Sequence, residues 1–122
     1  MTGALFHLLS QQAWAIAREL GRYIPASLAT EGFIHLSTAD QWPRTLARFY
    51  RDTPDLVLLQ LDPARLADVR YEPADGELFP HLYAPLDVTA VVGVFEIPRG
   101  ADGANDPAPV LAQLTAAGSR SP

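Results

Sequence analysis

The sequence predicts a single α+β domain, and three observations carry that expectation. Short apolar segments with strand-like alternation are interleaved with two stretches whose apolar residues recur at helical spacing. Glycine, proline and aspartate fall between these segments, where turns and caps are needed. The chain has 122 residues, 48% hydrophobic and 19% charged, enough for one buried core and too few for two domains.

Residues 4–9 are apolar and aromatic and predict a first strand, with Ser10 placed to cap a helix. Ala13, Ile16, Ala17 and Leu20 recur at helical spacing, Trp14 widens the stripe, and Gly21 stands where a C-terminal cap is expected. Residues 22–32 read as an ordered loop containing Pro25, and 32–37 as a short strand. Asp40, with Pro43 in the following turn, marks a second helix whose buried face would be Trp42, Leu46, Phe49 and Tyr50. Residues 55–61 are almost wholly apolar after Asp55, as in a central strand covered on both faces. Asp62-Pro63 closes it, with a short helical turn expected at 63–67. Residues 69–72 fit an edge strand, 73–76 (Pro-Ala-Asp-Gly) a turn, and 78–83 and 90–97 two further strands. The domain is thus expected over residues 1–97. Residues 98–122, rich in Pro, Gly and Ala with a weak stripe of Val110, Leu111 and Leu114, read as a mobile tail.

Composition excludes several kinds of chemistry. There is no cysteine, so disulfides, thiolate nucleophiles and cysteine-ligated zinc are out. All nine basic residues are arginine, which removes Schiff-base chemistry and lysine-anchored phosphate loops. A formal charge of −5 opposes steering toward nucleic acid. No apolar run is long enough to span a bilayer and no secretion signal opens the chain, so a soluble cytoplasmic protein is expected.

The three histidines are the candidate centre of a functional site. Strand parity puts Phe33, His35 and Ser37 on one face and Ile34 and Leu36 on the other. It likewise groups Leu5, His7 and Leu9, and Phe79, His81 and Tyr83. A single strand histidine is ordinarily satisfied by a nearby carbonyl. All three here, however, fall within short apolar and aromatic segments, which points to one shared cleft that Ser37 and Tyr83 would join. Glu31 reads first as a loop carboxylate. Glu72 and Glu77 flank a turn, from which either could reach the cleft. Arg44, Arg48 and Arg51 read as a solvated helix face, whereas Arg70 could either neutralise a substrate anion or face water from an edge strand.

The stretches EGFIHLS (31–37), DLVLLQLDP (55–63) and ELFPHLYAPL (77–86) resemble the signatures of the domain of unknown function 952 family, over about residues 4–97. That resemblance implies an ADP-ribosyltransferase-like fold of split small sheets with two main helices, holding nicotinamide adenine dinucleotide or a related nucleotide between the sheets. It implies that His7 orients the ribose, that Phe33 or His35 stacks on the nicotinamide, and that His81 stands where the transferases carry a glutamate. Losing such a preorganised charge commonly costs about a hundredfold to a thousandfold in rate, so conventional protein ADP-ribosylation is not implied. One branch of the fold works without that glutamate.

Three functions therefore remain open. The first is an enzyme acting on a nucleotide or a small ribosylated or phosphorylated molecule, with His7, His35 and His81 catalytic and Phe33, Ser37, Tyr83 and Arg70 binding. The second is a non-catalytic metabolite-binding domain. The third, ranked last, is a three-histidine metal site.

Overall fold

The computed structural model describes the backbone of residues 3–119 and the side chains through residue 115. Over the described residues it is a mixed α/β domain with several small antiparallel sheets and four helices, two more than expected. β1 (Leu5–Ser10) runs directly into α1 (Gln11–Leu20) because Ser10 Oγ accepts the Ala13 N–H at 3.0 Å. Gly21, at φ 89°, ends the helix and donates its N–H to Ala17 O. The expected loop at 22–32 contains β2 (Arg22–Tyr23) and a short α2 (Ala26–Thr30). Then follow β3 (Ile34–His35), α3 (Trp42–Phe49), β4 (Leu56–Leu61), β5 (Val69–Ala74), β6 (Glu77–Leu82), β7 (Leu86–Asp87), β8 (Val91–Glu96) and α4 (Ala108–Ser119). Single turns of 3-10 helix at Pro63–Arg65 and Val88–Ala90 are each capped by a preceding aspartate.

Three sheets have the orders β1-β4-β8, β2-β7 and β3-β6-β5, and every strand pair is antiparallel. β4 is central and covered on both sides, as its composition predicts. Val57, Leu59 and Leu61 enter one core cluster with Leu5, Leu9, Ile34, Leu36 and Leu82. Leu56 and Leu58 enter the other with Phe6, Leu8, Trp42 and Leu46. The β1 and β3 sheets meet at a single bridge, in which Phe6 and Ser37 exchange two backbone hydrogen bonds of 2.8 Å. Beyond that seam they belong to different sheets. The β5–β6 hairpin turns at Asp75-Gly76, at φ 51° and 82°, so Pro73 and Ala74 remain in the strand.

Several expected buried faces are rotated. Ile16 and Leu20 of α1 are 59% and 58% exposed, while Ala13, Trp14 and Ala17 meet the core. Ala13, Trp14 and Ala17 form the i, i+1, i+4 stripe that faces the sheet, with Ala17 buried and Trp14 half-buried. Phe49 is 61% exposed, since Trp42 and Leu46 alone bury the short α3.

Of the expected tail, residues 99–115 pack onto the domain rather than trailing from it, and residues 120–122 lie outside the described residues. Asn105 Nδ2 donates to Tyr50 O at 2.6 Å and to Thr53 O at 2.8 Å. Val110 of α4 is fully buried beside Ile97, and Leu114 packs against the same cluster. The weak apolar stripe is therefore sufficient to dock this helix. Among the described residues no helix is long and apolar enough to cross a membrane.

Candidate functional site: a histidine-lined cleft

All three histidines line one cleft of about 730 Å³, together with Phe33, Ser37 and Phe79. Parity explains this wall: Ile34 and Leu36 point into the core, so Phe33, His35 and Ser37 point away from it. His35 pairs directly with His81 across β3 and β6, and their rings lie 5.4 Å apart, edge to face. Phe33 stacks on His81 at 4.0 Å and meets His35 edge-on at 4.8 Å. Ser37 is buried, with Oγ 3.4 Å from Thr45 Oγ1 on α3.

Each histidine has one nitrogen held. His81 Nδ1–H donates to Glu72 Oε1 at 2.8 Å, and Tyr83 OH donates to the same oxygen. The carboxylate can only accept, so with His81 neutral its proton is on Nδ1 and Nε2 carries a lone pair. Nε2 has no hydrogen-bond partner among the described residues. The bonds from Tyr83 and then His81 hold the Glu72 carboxyl below its usual range, and the bond to Glu72 raises the Tyr83 phenol. His35 Nε2 lies 3.1 Å from Glu31 Oε2, on an exposed edge. Two carboxylate–imidazole pairs thus stand side by side, an arrangement suited to moving protons.

His7 differs from the other two. Its Nδ1–H donates to His35 O at 2.7 Å, and Nε2 faces Tyr23 OH at 3.5 Å. Burial lowers its pKa from 6.5 to about 4, outweighing the opposing effect of the His35 carbonyl. It is therefore a neutral imidazole that ties β1 to β3 while contributing to the cleft wall. Burial likewise raises the Tyr23 phenol.

Tyr83 and Arg70 do not line the cleft. Tyr83 supports Glu72, and Arg70 lies 4.2 Å over the Tyr83 ring while bonding Asp68 at 3.0 and 3.2 Å. Its charge is engaged there and is not turned to the cleft. The three-histidine metal reading is also not supported. Among the described residues no group of three or more His, Asp or Glu could hold a metal ion, and each imidazole has a nitrogen directed at a carbonyl or carboxylate.

Glu72, Arg44 and Arg48 matter more here than the sequence suggested. The hairpin register sets Arg70 opposite His81 and Glu72 opposite Phe79, which puts Glu72 diagonal to His81 on one face. That diagonal follows from the Asp75-Gly76 turn once the two-residue loop is recognised. Arg44 reaches across the cleft from α3 to grip Glu77 through two bonds of 2.7 and 3.0 Å. Arg48 does the same to Asp75 at 2.9 Å. Gln41 adds bonds to Glu77 and to Leu78 O. Arg44 and then Gln41 lower the Glu77 pKa to about 2.

A small mixed α/β domain with two carboxylate-backed histidines in one cleft is the class this geometry defines. The chain belongs to the family described as protein of unknown function DUF952, whose model matches residues 8–94. It is similar to the crystal structure of protein CC0527 from Caulobacter crescentus, with a TM-score of 0.81 and 35% identity over 89% of this chain and 98% of that one. The solution structure of the same protein gives 0.78 and 34%, over 90% and 97%. No curated protein matches the chain.

Proposed function

We propose that this protein is an ADP-ribosyltransferase-like enzyme that binds a ribosylated or phosphorylated small molecule in the histidine cleft and transfers a proton there through His81. The observation that carries the reading is the Glu72–His81 pair. A carboxylate fixes the imidazole tautomer and orientation, and Nε2 is left as a base on the wall of an aromatic-lined cleft. His35, backed by Glu31, is the second proton-handling group. The junction of the β1 and β3 sheets at one bridge supports the split-sheet likeness, in which a ligand such as nicotinamide adenine dinucleotide or its fragments would sit between sheets. Glu72 supplies a fixed negative group one hydrogen bond away from the position where the transferases carry their glutamate. His7 acts in this scheme by holding the His35 segment in place.

A non-catalytic binding domain is the second reading, favoured by an imidazole rather than a carboxylate at residue 81. The two separate on His81→Gln. The enzyme reading predicts that turnover of a bound ribosylated ligand falls further than affinity does, whereas equal losses, or no turnover in the wild type, would support binding alone. The starting screen is a thermal-shift panel of nucleosides, nucleotides and ADP-ribose, in which a ligand at a hundred times its Kd adds about 2.7 kcal/mol.

A further inference from the structure

The cleft contains no uncommitted cation among the described residues. Arg44 and Arg48 are the two arginines lining it, and each is paired across it with a lining carboxylate, Glu77 or Asp75. Formal charge from these four groups cancels. Glu31 and Glu72, joined to His35 and His81, add further negative charge close by. A phosphate drawing Arg44 away would leave Glu77 facing it with only Gln41 in support, so one ion pair would replace another with a new repulsion beside it. The rest of the lining is mostly aromatic and apolar. Phe79 and Phe33, one face of which is stacked on His81, line the strand wall, and the exposed Phe49, with Arg48 over its ring at 5.0 Å, lines the helix wall. Such faces suit a planar ring, neutral or cationic.

From this juxtaposition of self-neutralised arginines and aromatic side chains, we infer that the cleft selects a ribosylated planar ring carrying no phosphate, a nucleoside rather than a nucleotide. The inference rests on the cleft being the ligand site and narrows its substrate class. It also assigns Asp75 and Glu77 a specificity role, since their carboxylates withhold the two arginines from an anion. Asp75 suits substitution by asparagine, because its φ of 51° lies in the left-handed region that asparagine tolerates.

The experiment is calorimetric titration with adenosine and nicotinamide riboside against their 5′-monophosphates, at low and high salt. The variants Asp75→Asn and Glu77→Gln are titrated alongside the wild type, with their folding checked by circular dichroism. The wild type is expected to bind a nucleoside about tenfold or more tightly than its monophosphate at low salt, with the gap narrowing as salt screens the carboxylates. Either variant should gain affinity for the monophosphate. Tighter binding of the monophosphate by the wild type overturns the inference while leaving the cleft a ligand site. If neither nucleosides nor monophosphates bind, the functional reading fails and the inference with it.

Discussion

Acidification should destabilise this protein through His7 before most carboxylates are protonated. In the fold His7 is neutral, its Nδ1–H given to His35 O and its pKa lowered from 6.5 to about 4 by burial. In the unfolded chain it protonates near 6.5. Between these values the unfolded state binds more protons, so stability falls as pH drops from about 6.5 towards 4. At about 1.4 kcal/mol per pH unit the window amounts to on the order of 3 kcal/mol, a substantial fraction of a small domain's total. Urea unfolding of the wild type and of His7→Asn at pH 7, 5.5 and 4 isolates this contribution. Asparagine preserves a donor near the Nδ1 position and does not titrate. The wild type should lose on the order of 3 kcal/mol more than the variant across that range. Parallel losses, or a wild-type His7 that titrates near 6.5 by NMR, would refute the burial argument.

Val110→Ala should cost about 2 kcal/mol, because two methyl groups leave a fully buried site; a change below about 0.5 kcal/mol in chemical denaturation would show that α4 is not docked. Glu77 has a pH signature of the same sign as His7 in a more acid window: its folded pKa of about 2 lies below the ordinary 4.5. Its contribution is present above about 4.5 and lost as pH falls towards 2. Glu77→Gln should therefore flatten the acid limb of the stability profile, and added salt should weaken the wild-type advantage because the pair with Arg44 is partly exposed.

Much of the fold was legible in local pattern. Ser10 and Gly21 bracket α1, the run at β4 is buried on both faces, and parity separates Ile34 and Leu36 from Phe33, His35 and Ser37. What escaped was set by contacts between elements. α2 offers only Leu28 to the core, too little for a periodic signal. α4 docks through Val110 and Leu114 against a surface that the local sequence does not contain. The same distinction governs the site. The shared setting of the histidines in short apolar and aromatic segments was enough to group them, whereas the partnership of Glu72 with His81 needed the hairpin register, and the arginine pairs across the cleft needed α3 to be placed opposite the β5–β6 turn. Arg70 illustrates the limit, since its engagement with Asp68 and Tyr83 depends on a side-chain direction that parity does not specify.

With only three histidines in the chain, the imidazole ring signals give a direct test of the histidine cleft. A titration with nicotinamide riboside or adenosine, followed by NMR of those rings, should shift His35 and His81 saturably, with His81 remaining the Nδ1–H tautomer before ligand is added. Ring signals that stay unmoved by every ribosylated or phosphorylated compound, with the stability of the protein equally unmoved, would contradict the assignment of this cleft as the functional site.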